Sequence, residues 1–593
     1  MDRFSARRWE WIALAIIMLV AVGLRLYRLD AQSLWNDEGT SVALAQRDLA
    51  TIARNAAQDI HPPLYYYLLH YWLAAFGSGE WAVRFFSALG GTALVLATYF
   101  LARRIFSSLI ASLAAVFSAL SPFQVYYSQE ARMYIFASLF GLLSMLAFVH
   151  WLDCHAEEIP GKVPWLSTVA YVVASILAIY SHYFAFTVIL GQNIAFLVWL
   201  IYRHRGEPRP WPRTRHLAIR WSLMQAIVLV AYVPWLMVSW HSLQRWPAVS
   251  EPFTLPGLLQ NIAQVFALGY PPRTGIEANV AGIAYLFLIV FGILQGIRER
   301  HVDVMRRNLL TTFYLLVPIA TMFVLSLQRP MYKPKFLLLA TPAYYILLAN
   351  GCLALGGWAK RILKMRWMQL TITVILALAI CAASAWSLYR LYFDEDLYRD
   401  DYRGIVAYIE ATAGPDDAIL INAPAQIETV DYYYDGPLAE YPLPRQRPMD
   451  RGDTEAQLEE IFASHRRIYA ILWATGDSDP EGFVETWLDQ HCFKALDSWY
   501  GNVRLAIYSV PQASSGEIAH PLDYRLGDDI LLRGYSLLTQ EPHSGDILEL
   551  SLFWEATGTL SRRYKVFVHL VDGRGNIVGQ QDGEPCGGAC PTD

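Results

Sequence analysis

Runs of about 20 apolar residues recur along the first two thirds of this chain, and a run of that length crosses the hydrocarbon core of a bilayer as a helix. About eleven can be read, centred near residues 18, 93, 113, 142, 174, 193, 230, 287, 318, 346 and 378. In lipid every backbone polar group needs an internal partner, so helices are the form open to such runs. Composition agrees: 55% of the 593 residues are hydrophobic and only 17% charged, where a soluble chain carries about a quarter. The fifth and sixth runs are nearly continuous and hinge at "YSHYFAF". The first run follows Arg3, Arg7 and Arg8, as in a signal peptide. It is long enough to span, though, and no A-x-A-like site follows, so it reads as an uncleaved first helix.

Lys and Arg orient the bundle. With the N-terminus cytoplasmic, the segments around Arg103, Arg203–Arg220, Arg298–Arg307 and Lys360–Arg366 fall inside. Roughly 20 Lys/Arg then lie inside against roughly 8 outside. This places a multi-pass protein in the cell membrane. The long segment 30–80, "SQEARMY", "YSHYF", the 241–277 loop, "QRPMYKPKF" and everything beyond about residue 390 are then extracytoplasmic.

After residue 390 the composition changes. "DYRGIVAYIEATAGPDDAILINAP" reads as an amphipathic helix, a turn and a buried strand, "RRIYAILWA" as a strand and "PEGFVETWLDQH" as a helix. That alternation predicts an α/β domain over 391–512. From 513 to 593 only strands are readable, with Asp-Gly and Gly-Asn turns, which predicts a β-sandwich-like domain that stops short of completion. Cys586 and Cys590 are close enough in sequence to pair across a short loop. Six cysteines in a chain of this length make no disulfide framework. No basic block suits nucleic acid, and no C-x-x-C or H-E-x-x-H suggests structural zinc.

The residues with chemical promise gather at the expected outer ends of the spans. "SLWNDEGT" carries Asp37 and Glu38 just beyond the first span. Two readings coexist there. Asn36 or Asp37 can cap a helix whose first turn is acidic, and a carboxylate at the membrane edge suits a general base acting on a hydroxyl. "DIHPPLYYYLLHYW" places His61 before two prolines, which hold the chain extended ahead of an aromatic helix suited to the interface. "SQEARMY" offers Arg132 to neutralise a phosphate, with Tyr134 beside it; an Arg132–Glu130 pair is the structural alternative. Arg329, Lys333 and Lys335 cluster in an outer loop that charge bias would keep neutral, so they suit an anion at the surface, with snorkelling as the plain alternative. His182 sits at the "YSHYF" hinge, Arg84 begins the second span, and Arg25 and Arg28 close the first. An acid to deprotonate an alcohol, beside cations to hold a phosphate, suits group transfer from a lipid phosphate.

The motifs "LWNDEGTSVAL", "HPPLYYYLLHYW", "EWAVRFFSAL", "YYSQEARMY" and "YKPKFLLLATPAYY" resemble, in family order over most of residues 20–350, the family 39-type membrane glycosyltransferases. These include the protein O-mannosyltransferases and the lipid A aminoarabinose transferases. The resemblance implies a polytopic α-helical GT-C domain over 1–390. It implies inverting transfer of a sugar from a polyprenyl-phosphate donor to an acceptor hydroxyl on a lipid, protein or glycan. It assigns Asp37 as general base and Glu38 as its orienting neighbour or acceptor contact. Arg132, Lys333 and Lys335 become phosphate holders, with His61 where the aminoarabinose transferases carry Lys. It requires no cofactor and leaves a divalent cation open. Two other functions are weighed against it: a transporter or flippase, which calls for polar mid-membrane residues and broken helices, and an envelope assembly protein with an outer carbohydrate-binding domain.

Overall fold

The computed structural model describes residues 3–59, 61–156, 165–206, 211–245, 250–269, 275–298, 302–511, 517–539, 547–560 and 562–584. The chain divides into two compact units, Met1–Gly404 with Ala425–Asp435, and Ile405–Pro424 with Gly436–Asp593. The first therefore carries residues 391–404 and 425–435 beyond the apolar stretch.

Its helices are α1 (Arg3–Leu26), α2 (Asn36–Ala45), α3 (Leu49–Gln58), α4 (Leu64–Phe76), α5 (Glu80–Ile105), α6 (Ser108–Ala119), α7 (Pro122–Ser128) and α8 (Tyr134–Ala156). Then follow α9 (Trp165–Ser181), α10 (Phe186–Gly206), α11 (Trp211–Gln244), α12 (Leu255–Leu268), α13 (Ile276–Arg298), α14 (Val302–Ser326), α15 (Thr341–Leu363) and α16 (Met368–Phe393). Helix α17 (Tyr402–Thr412) crosses into the second unit, and α18 (Ile427–Tyr433) returns to the first.

Each of the eleven expected centres falls in a helix, but among the described residues nine helices are long and apolar enough to span, or ten if α6 and α7 form one span bent by 57°. The difference from eleven is α9, which has 17 residues. The break between α9 and α10 falls at the expected hinge, where a 3-10 turn over Tyr183–Ala185 follows His182.

Burial ranks the spans. The Pro334–Leu363 span is 89% buried and forms the centre of the unit, whereas Arg8–Leu26 is 22% buried and lies at the edge. Small residues make the centre possible. A Cβ at Gly351 would lie 2.1 Å from the Leu288 carbonyl oxygen, so glycine lets α15 and α13 touch backbone to backbone.

Three short helices form the segment after α1. Asp48 caps α3, accepting from the Ala50 and Thr51 amides at 3.0 Å each. Pro62 and Pro63 separate α3 from α4. A Cβ at Gly39 would lie 2.2 Å from Thr429 Oγ1, so glycine admits α18 against α2. Thr429 Oγ1 donates to the Asn36 carbonyl at 3.1 Å, and Arg47 pairs with Glu428.

In the second unit a five-stranded sheet runs in the order β2–β1–β3–β5–β4. Its strands are β1 (Ala418–Asn422), β2 (Ala439–Leu443), β3 (Arg467–Leu472), β4 (Phe493–Tyr500) and β5 (Val503–Ser509). Strand β1 is parallel to β2 and β3, with Leu420 opposite Ala470, while β5 is antiparallel to β3 and β4. The continuous apolar run of β1 is buried at every position, as a two-sided central strand requires. Helices α19 (Arg451–Ser464), α20 (Thr475–Ser478) and α21 (Phe483–His491) complete the α/β arrangement. Beyond it lie a three-stranded sheet, β6 (His520–Leu526), β7 (Ile530–Leu537) and β8 (Leu550–Ala556), and a hairpin, β9 (Val566–Val571) and β10 (Ile577–Gly583). The expected strands are present, but Tyr524, Phe567 and Val578 are each more than 60% exposed. Cys586 and Cys590 lie outside the described residues.

Candidate active site

The acidic turn does not form in the way its capping pattern suggests. Trp35 takes the cap position and Asn36 opens α2, so Asp37 and Glu38 fall within the first turn, where the helix dipole favours negative charge. From there the two carboxylates point to different surroundings.

Glu38 is fully buried. Its Oε1 accepts from Arg84 Nε at 2.9 Å and from the Ala131 amide at 2.8 Å, and its Oε2 accepts from Arg84 Nη2 at 2.6 Å. Arg84 spends its other donors on the carbonyls of Leu29 (3.1 Å), Gln32 (2.6 Å) and Ser33 (2.8 Å). Burial opposes the Glu38 charge, but Arg84 and Arg399 outweigh it and hold the carboxyl below its ordinary range. This bidentate pair ties the start of α2 and the segment after α1 to α5 and to the loop before α8. All its strong acceptor directions are taken, so Glu38 has no room for an acceptor and Arg84 none for a phosphate.

Asp37 keeps 27% of its side chain exposed. Its Oδ2 lies 3.4 Å from Lys335 Nζ and 3.5 Å from Arg132 Nη2. Burial again opposes the charge; Arg132, Lys335 and the more distant Lys333 outweigh it and hold the carboxyl below its ordinary range. Arg132 also donates from Nη1 to the Asp37 carbonyl at 3.0 Å and to Ser41 Oγ at 3.1 Å, which fixes it across the start of α2. Lys335 Nζ lies 4.8 Å from the Tyr134 ring centre and 5.8 Å from that of Trp35, an aromatic bed for a cation.

Two histidines complete the cluster. His61 Nε2 lies 3.0 Å from Arg132 Nη2, and the His61 ring is 6.5 Å from Tyr134 and 5.8 Å from His182, centre to centre. Burial pushes both imidazoles down, helped by Arg132 and Lys335: His61 well below its ordinary value, His182 to about 3. Among these cations both are neutral hydrogen-bonding groups.

The structure thus gathers Asp37, His61, Arg132, Tyr134, His182 and Lys335 at one end of the bundle. It leaves others aside. Lys333 is exposed, felt by Asp37 only through its charge. Arg329 donates to the Gln244 carbonyl at 3.2 Å. Arg25 is buried against Ser128 and the Ala119 carbonyl, and Arg28 donates to the Tyr392 carbonyl. Glu130 does not pair with Arg132: its Oε2 faces Arg399 at 3.6 Å, and burial pushes its carboxyl up to about 7. Arg399, which also donates to the Gln129 carbonyl at 3.0 Å, was beyond the apolar stretch and carried no sequence signal.

A divalent ion fits poorly beside Asp37, because Arg132 and Lys335 already bring two positive charges to its carboxylate. Among the described residues no three His, Cys, Asp or Glu side chains are grouped to hold one.

Residues 60–238 match the family described as dolichyl-phosphate-mannose-protein mannosyltransferase. The structure is similar to ArnT from Cupriavidus metallidurans, both in the apo state and bound to undecaprenyl phosphate. The TM-score is 0.52 in each case, identity is 13% and 14%, and 86% of this chain and 100% of that one are covered. It is also similar to the apo oligosaccharyltransferase of Archaeoglobus fulgidus, with a TM-score of 0.51, 14% identity, and coverage of 82% of this chain and 72% of that one. The chain shares the fold of these proteins, the GT-C fold. An uncharacterized protein of Aquifex aeolicus is 23% identical over 349 residues, 57% of this chain and 62% of the relative, so the chain spans less than two thirds of that relative's length. Within this fold the cluster is built by the segment after α1, the start of α8, the end of α9 and the 3-10 segment before α15; all but the end of α9 carry a motif of the resemblance.

Proposed function

We propose that the chain transfers a sugar from a polyprenyl-phosphate donor to an acceptor hydroxyl, with inversion, on the outer side of the membrane. The observation that carries this reading is one partly exposed carboxylate, Asp37, flanked at 3.4 and 3.5 Å by Lys335 and Arg132. The solved relatives support the donor class: ArnT is described bound to undecaprenyl phosphate, and the archaeal oligosaccharyltransferase in complex with an inhibitory peptide and a dolichol-phosphate. The distribution of Lys and Arg supports the side of the membrane.

In this reading the acceptor oxygen attacks the anomeric carbon, the bond from that carbon to the phosphate oxygen breaks, and polyprenyl phosphate leaves with the electron pair. The acceptor's proton passes to Asp37. Arg132 and Lys335 stabilise the charge that grows on the leaving phosphate. Without donor, both cations hold Asp37 ionised and weakly basic. A bound phosphate competes for the same cations, so the Asp37 carboxyl regains basicity when the donor is in place. Single displacement inverts the anomeric centre.

The test is transfer of labelled sugar from a panel of polyprenyl-phosphate-linked donors by the protein in proteoliposomes. The expected result is release of polyprenyl phosphate in proportion to sugar transferred, with inverted product stereochemistry. Retained configuration, or sugar release without transfer, contradicts the mechanism.

A further inference from the structure

His61 and His182 reach the cluster from separate segments, the loop before α4 and the break between α9 and α10. Both are buried, at 5% and 2% exposure. Each commits one ring nitrogen and leaves the other unmatched. His61 Nε2 faces Arg132 Nη2 at 3.0 Å. A guanidinium only donates, so Nε2 accepts, and in the neutral ring the proton sits on Nδ1, which has no partner among the described residues. His182 Nδ1 accepts from the Phe184 amide at 3.1 Å, so the proton sits on Nε2, which also has no partner among the described residues. Two buried N–H donors therefore remain open on rings 5.8 Å apart. Leaving a buried donor unmade is costly, and native structures rarely leave two together.

The charges around them narrow what answers. Arg132 and Lys335 lie beside both rings and keep them neutral. An ammonium group entering here would meet two cations and two N–H donors. A hydroxyl or ring oxygen would satisfy an N–H donor at no electrostatic cost.

We infer that His61 Nδ1 and His182 Nε2 read the oxygens of the donor sugar, and that they select an uncharged, hydroxylated sugar over an amino sugar. The inference rests on the lipid-linked donor proposed above and divides that site in two: a charged half, Arg132 and Lys335, for the phosphate, and a neutral half, His61 and His182, for the sugar.

Two variants remove only the open donor. His61→Gln keeps an acceptor for Arg132 where Nε2 stood and loses Nδ1–H. His182→Asn keeps an acceptor for the Phe184 amide where Nδ1 stood and loses Nε2–H. They lie on different segments, so a folding defect in one leaves the other informative. The full-length protein in proteoliposomes is titrated with bare polyprenyl phosphate, with the same lipid phosphate carrying glucose, and with it carrying 4-amino-4-deoxyarabinose. The wild type is expected to bind the glucosyl lipid more tightly than the bare lipid, and the amino-sugar lipid no more tightly. Each variant is expected to lose about tenfold in affinity for the glucosyl lipid, the worth of one hydrogen bond. Its affinity for the bare lipid should stay within about twofold. Equal losses for both lipids would make the histidines phosphate ligands and overturn the assignment. So would no loss for the glucosyl lipid, or a wild type that favours the amino sugar. A wild type that binds none of the three overturns the lipid-linked donor itself, and this inference with it.

Discussion

Glu38 and Asp37 are neighbours in sequence and opposites in environment. Glu38 is sealed, with Arg84 at 2.9 and 2.6 Å and the Ala131 amide at 2.8 Å consuming its oxygens. Asp37 shares looser ion pairs at 3.4 and 3.5 Å and keeps a quarter of its side chain open. A buried, saturated ion pair organises structure, while a carboxylate with longer ion pairs and an open face has directions left for chemistry. The contrast teaches that an acidic dyad at a membrane edge divides its labour: one acid builds the turn that presents the other.

The largest expected effect breaks the sealed side. Glu38→Ala leaves Arg84 buried without its counter-charge and should cost about 3–5 kcal/mol of stability. Glu38→Leu combined with Arg84→Met should recover part of that loss. A thermal-shift series in detergent measures both; equal stability of Glu38→Ala and wild type would show the pair to be incidental.

On the open side, Lys335→Gln removes one of two cations and should lower kcat/KM for a lipid-linked donor by roughly 10–100-fold while leaving the melting temperature nearly unchanged. The same change relieves part of the charge that depresses Asp37, so the acid limb of the kcat/KM–pH profile should move up in pH. An unmoved limb would separate Lys335 from Asp37.

A smaller effect tests how the turn is held. Gly39→Ala drives a methyl into Thr429 and should cost about 1–3 kcal/mol, because neither α2 nor α18 has space to give. Thr429→Ser paired with Gly39→Ala should not restore it, since the Thr429 Oγ1 and backbone themselves are in the way.

The smallest effect is a change of slope. Burial raises Glu130 to about 7 against an ordinary 4.5, with Arg399 and Lys335 opposing. The folded protein therefore holds this proton between those values while the unfolded chain releases it. Its contribution is full below 4.5 and lost as pH rises through 7. Glu130→Gln should flatten the fall in melting temperature between pH 5 and 8; an unchanged slope would place the titration elsewhere.

Much of this was legible in the sequence because membranes impose long apolar runs and because charges at their ends are conspicuous among them. All eleven centres fall in helices, and Asp37, His61, Arg132, His182 and Lys335 come from five separate segments into one cluster. What was not legible depends on contacts across large sequence distances or on the rotation of a single turn. Nothing local distinguishes Glu38 from Asp37; the partner that does so, Arg84, is 46 residues away. Lys333 and Lys335 look equivalent, yet Lys333 is the extended residue before the 3-10 segment Pro334–Ala340 and faces out, whereas Lys335, two residues on, turns in. Glu130 and Arg132 look like a pair, but Arg399 arrives from beyond the last span and takes Glu130. The cap expected at Asn36 or Asp37 falls to Trp35, whose side chain makes no cap hydrogen bond; its amide instead donates to Glu38 Oε2 at 3.4 Å, a return contact from three residues on.

In the proposed mechanism Asp37 takes the acceptor's proton. The most direct test of this step is sugar transfer from a polyprenyl-phosphate donor by Asp37→Asn beside wild type, in proteoliposomes, with thermal stability and donor affinity measured on the same samples. Asparagine keeps the shape and loses the base. Transfer is expected to fall by about 10²–10⁴-fold with the fold intact and the donor still bound. Transfer at the wild-type rate would contradict the account and send the search for the base to another residue.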